Sequence, residues 1–125
     1  MPLHWEIDPH LRLVTLVAEG DVTRSEVESY LDAVNQAGVH GYRKLFDARH
    51  AVTRMAPGEL LALGVRMRAT HAEGHAMGAL AAVLPGTHVE MMDRVLGMLA
   101  AAERPMRVFR QIGPARKWIG SLPAT

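Results

Sequence analysis

Asp47, Arg49 and His50 are the residues whose types and spacing come closest to a chemical site in this chain of 125 residues. They directly follow an apolar run, and the carboxyl end of a strand in an alternating α/β fold is where ligands usually bind. Arg49 can offer a fork of N–H donors to a phosphate or a carboxylate. We therefore predict a ligand- or partner-binding site at this strand end.

Two residues further along complete the predicted site. Thr53 offers a hydroxyl group, and Gly58 follows Pro57 in the first turn of a predicted helix, where free backbone amides favour an anion. In the alternative interpretation, Asp47 accepts hydrogen bonds from backbone amides and Arg49 simply pairs with it. That alternative leaves both residues with a structural role.

Asp47 and His50 also raise the possibility of a small enzyme that uses them as an acid/base pair. No serine elbow or nucleotide loop accompanies them, and the chain has no cysteine. His71 and His75 are four residues apart, but Gly74 lies between them where the helix is predicted to end, so we predict no metal site. The sequence favours a protein that is not an enzyme and needs no cofactor.

The composition is that of an ordinary folded domain. Hydrophobic residues make up 49% of the chain and charged residues 22%, and the net charge of +1 gives no reason to expect nucleic acid as a partner. The basic residues concentrated after Arg94 are interpreted as solvated faces. Residues 1–6 show neither a basic leader nor an apolar run of the signal-peptide type, so we expect no secretion by that route. The longest mainly apolar run, residues 77–85, is too short for a membrane span. We expect a cytoplasmic protein without an integral membrane segment.

The apolar periodicity predicts the element order β-β-α-β-α-β-α-β-α. A capping box at Thr23 and Glu26 marks the start of the first helix, and Gly38 marks its end. The predicted strands cover residues 4–8, 11–18, 44–48, 78–84 and 106–112, and the later helices start near Pro57, after Thr87 and at Ala115. This order predicts one α/β domain spanning residues 1–125, with a mixed five-stranded sheet flanked by about four helices.

The whole chain resembles the STAS-like, or SpoIIAA-like, family of small bacterial domains, the fold of the anti-sigma-factor antagonists. The matching motifs are Trp5-Glu6-Ile7-Asp8, Gly20-Asp21-Val22-Thr23, Leu45-Phe46-Asp47-Ala48-Arg49, and Val108-Phe109-Arg110 with Ala115 and Trp118. The resemblance implies a SpoIIAA-like fold. The chain also resembles uncharacterised bacterial proteins described as STAS/SEC14-like, and this resemblance implies a lipid-like ligand.

The expected function is that of a regulatory or interaction module of the bacterial cytoplasm. It binds a protein partner or a small anionic or lipid-like ligand near the connection between the third strand and the second helix. Met91 and Met98 lie on a stripe beside the buried face of the third helix, and methionine suits adaptable apolar surfaces. This placement predicts that they border either a homodimer interface or an apolar ligand groove.

The resemblance also yields a prediction about phosphorylation. Regulatory members of the family present a phosphorylatable serine in an Asp-Ser-Ser-Gly stretch, whereas residues 54–58 here read Arg-Met-Ala-Pro-Gly and leave only Thr53 nearby. We expect no kinase-controlled switch, so incubation with the cognate kinase and ATP leaves the intact mass unchanged. A stoichiometric phosphate on Thr53 contradicts this expectation.

Overall fold

The computed structural model describes residues 2–86, 89–101 and 104–123, with only the backbone described for residues 89–92. The elements follow the predicted order. They are β1 (Leu3–Asp8), β2 (Leu13–Asp21), α1 (Arg24–Ala37), β3 (Arg43–Val52), α2 (Pro57–Ala72), β4 (Leu80–Val83), α3 (Val89–Leu99), β5 (Met106–Phe109) and α4 (Ile112–Ser121). The predicted α/β class, with a five-stranded mixed sheet and four helices, is confirmed.

The five strands form one sheet in the spatial order β1-β2-β3-β4-β5. β1 is antiparallel to β2, and the other neighbouring strands run parallel. α1, α2 and α3 contribute Tyr30, Leu63 and Met98 to the core on one face, whereas α4 packs Ile119 against the other face. β4 is buried throughout, as its unbroken apolar run predicts for an interior strand.

α1 begins and ends at the residues that the sequence marks. The Thr23 hydroxyl accepts a hydrogen bond from the Glu26 amide at 3.4 Å, and the Glu26 carboxylate accepts one from the Thr23 amide at 3.2 Å. Gly38 closes the helix with φ of 68°, in the left-handed region that glycine enters without a steric penalty. The capping box is therefore present as predicted.

Several boundaries differ from the sequence prediction. β2 begins at Leu13 rather than at residue 11, because the Asp8 carboxylate accepts a hydrogen bond from the Leu11 amide at 2.9 Å and holds the turn. α4 begins at Ile112, three residues before the predicted start at Ala115. The predicted cap at Thr87 lies outside the described residues.

Gly78 allows two connections of the chain to pack closely. Its amide donates to the His40 carbonyl at 2.9 Å, which ties the segment before β4 to the segment before β3. A Cβ atom at Gly78 would lie closer than 3.0 Å to the backbone carbonyl oxygens of Gly41 and Tyr42. The position therefore admits no side chain unless the backbone moves.

Replacing Gly78 with alanine should destabilise the protein. The added methyl group meets backbone oxygens, which cannot rotate away, so we expect a loss of about 1–3 kcal/mol of unfolding free energy, as for other overpacked sites. Urea denaturation measures this change. Gly97→Ala is the control, because it adds a methyl group in a helix with nothing within 4 Å and should stabilise. Equal stability of Gly78→Ala and the parent protein contradicts the packing argument.

Candidate functional site

Asp47 and Arg49 form an ion pair within β3 rather than in a loop after it. The predicted strand ended at residue 48, but β3 continues to Val52 by pairing with the end of β2. Between the paired positions, β3 advances three residues while β2 advances two, so β3 carries a bulge. The apolar pattern of β3 could not predict this extension, because the extension depends on pairing with β2.

The geometry of this pair satisfies both side chains. Arg49 Nε donates to Asp47 Oδ1 at 2.9 Å, and Arg49 Nη2 donates to Oδ2 at 2.8 Å. The hydrogen bond from the Arg49 side chain lowers the pKa of the Asp47 carboxyl, and the Asp47 side chain raises the pKa of Arg49. Strand alternation places Asp47 on the same face as Leu45, which packs with α4. The arrangement matches the structural alternative that the sequence allowed.

The other three predicted site residues do not join this pair. His50 is exposed and lies opposite Glu19 of β2. Gly58 is exposed in the first turn of α2. The Thr53 hydroxyl donates to the Val22 carbonyl at 2.8 Å and accepts from the Met55 amide at 3.2 Å.

The start of α2 already holds a carboxylate. Glu59 Oε1 accepts a hydrogen bond from the Ala56 amide at 3.1 Å. This negative charge lies at the helix end whose dipole would otherwise attract an anion. The structure therefore gives little electrostatic support for anion binding at the N-terminus of α2.

Two adjoining apolar pockets lie on the face of the sheet that α1, α2 and α3 cover. Each has a volume of about 60 Å³. The side chains that line both pockets are Val22, Val27, Phe46 and Met98, so the two pockets are neighbours. We call them the inner lobe, which extends to Leu80, and the outer lobe, which extends to residues 51–55.

The outer lobe adjoins the connection that the sequence predicted as the binding region. Thr53 and Met55, from the β3–α2 connection, line it together with Ala48 of β3. Met98 is 8% exposed and borders both lobes. Its placement agrees with the predicted apolar ligand groove, whereas the side chain of Met91 lies outside the described residues.

Lys44 is a charged residue in the wall of the inner lobe, and it is only 2% exposed. Its Nζ atom donates to the carbonyl oxygens of His40 at 2.6 Å and Tyr42 at 2.8 Å. Burial, with a smaller contribution from the positive charge of Arg104, lowers the pKa of Lys44 to about 7. At neutral pH this amine is therefore close to its point of half-protonation.

Arg104 and Tyr30 line the same lobe. Arg104 precedes β5, donates weakly to the Leu99 carbonyl at 3.3 Å, and has a buried Nε atom without a partner among the described residues. Burial lowers the pKa of Arg104. The buried Tyr30 hydroxyl also lacks a partner in the described part of the chain, and burial raises its pKa. We call Tyr30, Lys44 and Arg104 the polar wall, although their polar atoms are buried and the accessible lining of the lobe itself is almost wholly apolar.

Sequence reasoning did not single out the polar wall. Tyr30 recurs at helical spacing with the apolar residues Leu31 and Val34 of α1, and Arg104 belongs to the basic residues that the sequence analysis interprets as solvated. Lys44 did carry a signal, since it alternates with Phe46 and Ala48 and such positions share one face of a strand. A fully buried lysine is rare, so a lysine at an inward position marks a place to examine.

A shallow groove separates the outer surfaces of α2 and α3. It has a volume of about 330 Å³ and is lined by apolar side chains together with Arg68 and Arg94. Leu61 is 70% exposed and Val65 is 57% exposed along it. Gly64 of α2 lets this helix pack closely against the end of α3. A Cβ atom at Gly64 would lie 3.3 Å from the Cβ atom of Ala101.

The described ranges contain neither a metal-binding cluster nor a membrane-spanning helix. No group of three or more histidine, cysteine, aspartate or glutamate side chains is arranged to hold a metal ion there. No helix of that part of the chain has the length and apolar character needed to cross a membrane. His75 instead stacks on His40, with ring centroids 4.8 Å apart.

Comparison with known proteins shows the fold. No protein-family model matches the sequence, and no curated protein matches it. The chain is similar to the crystal structure of an uncharacterised protein from the DUF3478 family with a SpoIIAA-like fold, from Shewanella loihica PV-4. The TM-score is 0.58 at 18% identity, over 94% of this chain and 91% of that chain. The SpoIIAA-like fold implied by the sequence motifs is thus confirmed.

Buried Lys44 should make stability depend on pH. Between about pH 7 and 10.5 the unfolded lysine holds a proton that the folded one lacks, so unfolding free energy rises with pH by up to about 1.4 kcal/mol per pH unit. Below pH 7 both states are protonated, and the full cost of the buried charge is present. Urea denaturation between pH 7.5 and 9.5 measures this slope.

The range from pH 7.5 to 9.5 also avoids the pH values at which the neighbouring groups of Lys44 titrate. The pKa of His40 is lowered, chiefly by burial, so it titrates below its ordinary value of 6.5, whereas the raised pKa of Tyr30 lies above 10.0. Lys44→Met should abolish the slope, and Lys117→Met, at an exposed position, should retain it. An equal slope in Lys44→Met and the parent protein assigns the effect to another group.

Proposed function

We propose that this SpoIIAA-like domain is a non-enzymatic binding module of the bacterial cytoplasm that holds a small, largely apolar ligand between its sheet and α1, α2 and α3. The observation that carries the proposal is the pair of adjoining apolar lobes, each about 60 Å³ in volume. An apolar cavity of about 150 Å³ in another protein binds benzene, so this space is of the order that a small ligand needs.

The position of the outer lobe supports the same proposal. It lies beneath residues 51–55, and Thr53 and Met55 line it beside the β3–α2 connection. A ligand there would contact the connection that the sequence selected, although from the inner side of the sheet. A lipid-like ligand with a long chain would extend out of the lobes, because each has a volume of only about 60 Å³.

The non-enzymatic part of the proposal rests on Asp47. An acid/base pair with His50 needs a carboxyl that exchanges protons near neutral pH. The bidentate contact with Arg49 instead lowers the pKa of Asp47 and occupies both of its oxygens. This engagement favours a structural carboxylate over a catalytic one.

A protein partner is the second candidate, and the groove between α2 and α3 favours it. Leu61 and Val65 expose apolar surface there next to Arg68. Apolar patches rimmed by charge are typical of protein-binding surfaces. The homodimer predicted from the methionine stripe stays a prediction.

Filling the lobes should block ligand uptake. Val27 of α1 lines both lobes, so the ring of Val27→Phe would reduce the space in them. We expect hexan-1-ol to shift the methyl NMR signals of Met67, Met77 and Met98 in the parent protein, and Val27→Phe to weaken this binding by roughly tenfold or more, a loss of about 1.4 kcal/mol or greater.

Two further variants locate the binding. Val65→Phe is the matched control, since Val65 lines only the groove between α2 and α3. Arg49→Ala tests the ion pair on the opposite face, and neither change should alter binding of hexan-1-ol. Sensitivity to Val65→Phe alone would place the ligand in the groove, and the absence of any shift in the parent protein would refute the proposed function.

A further inference from the structure

We propose that the outer edge of β5 binds an extended acidic segment of a partner protein, which pairs with β5 as an additional strand. This edge is separate from the two lobes and from the groove between α2 and α3, so the inference does not depend on the proposed function. It is carried by the unpaired backbone of β5 and by the positive charge around it.

β5 is the last strand of the sheet. It pairs with β4, and no strand in the described part of the chain pairs with its other edge. The carbonyl oxygens of Pro105 and Phe109 point to β4, because they accept hydrogen bonds of 2.9 Å from the start of β4 and from the residue after it. By strand alternation, the backbone amides and carbonyls of Met106 and Val108 point away from β4. Val108 is also 43% exposed, so apolar surface lies beside these backbone groups.

The charge around this edge is positive. Residues 104–123, which contain β5 and α4, include five basic residues and no acidic residue. Four of the basic residues are exposed and belong to no ion pair among the described residues, namely Arg107, Arg110, Arg116 and Lys117. α4 lies beside β5, with the ring centroids of Trp118 and Phe109 6.0 Å apart. A partner with acidic side chains is therefore complementary to this surface.

Two of these arginines lie on or directly after β5. The guanidinium group of Arg107 lies over the ring of Phe109, 5.4 Å from its centroid. The Arg110 side chain extends over Gly86 after β4, where a Cβ atom would lie 2.6 Å from Nη1. Neither guanidinium group makes a hydrogen bond to a described residue. Both therefore retain N–H donors for the carboxylates of a bound segment.

The other edge of the sheet does not fit the same partner. β1 carries the exposed Glu6 and ends at Asp8, and like charges on neighbouring strands repel. Charge thus selects β5 from the two edges. The unpaired backbone groups and Val108 favour a peptide over nucleic acid, because phosphate contacts need the cations but not a strand edge.

The test measures peptide binding to the full chain at low ionic strength by fluorescence anisotropy. The probe is a labelled peptide in which four glutamates alternate with four valines. One control replaces the glutamates with lysines, and the other keeps the sequence but has N-methyl groups on the four central residues, which block both edges of the peptide. We expect the acidic probe to bind roughly tenfold or more tightly than either control, and to bind less tightly as salt is added.

Variants then assign the binding to β5. Arg107→Gln and Arg110→Gln should each weaken binding of the acidic probe several-fold, and Arg12→Gln, at an exposed position in the turn between β1 and β2, should leave it unchanged. Val108→Pro removes an amide that points away from β4, which an edge strand tolerates. It should weaken binding further than Val108→Ala, which keeps that amide.

Three results would overturn the inference. Equal affinity for the acidic probe and its N-methylated form excludes strand addition, and equal affinity for the acidic and the lysine peptides excludes the selection by charge. Tighter binding of a single-stranded oligothymidylate than of the acidic probe assigns the surface to nucleic acid instead. These comparisons use the parent protein, so they decide the matter even where Val108→Pro fails to fold.

Discussion

The ammonium group of Lys44 lies on the covered face of the middle strand, and the backbone around it is arranged to satisfy that group. The chain before β3 curls so that the carbonyl oxygens of His40 and Tyr42 accept its hydrogen bonds. The His40 carbonyl also accepts from the Gly78 amide, so the same loop holds the entry to β4. Because Gly78 has no side chain, this approach is possible.

Fold features that depend on neighbouring residues could be predicted from the sequence. Thr23 and Glu26 cap α1, and Gly38 ends it, because both signals act within a few residues. The end of β3 could not be located in this way. Residues 49–52 remain in the strand only because β2 continues beside them past a bulge, and that pairing joins segments far apart in the chain.

The candidate site was harder still to predict, because it too depends on contacts between distant segments of the chain. Asp47 and Arg49 are two residues apart, so their proximity was evident, but their contact proved to be an ion pair on the α4 face. Tyr30, Lys44 and Arg104 belong to separate segments of the chain, and only the packed sheet brings them to one lobe. Lys44 gave a local signal through strand alternation, whereas nothing near Arg104 distinguished it from a solvated arginine.

A buried cation without an acidic partner has a direct consequence for a binding module. In the free protein, Lys44 costs stability, because an apolar side chain of similar volume would fill its place without desolvation of a charge. The carbonyl oxygens of His40 and Tyr42 offset part of that cost, because their hydrogen bonds favour the protonated lysine. A ligand that binds only the folded chain would stabilise it by mass action. The loop at His40 and Tyr42 binds this ammonium group, so a residue at position 44 without the charge would also leave two carbonyl oxygens of that loop without their donor.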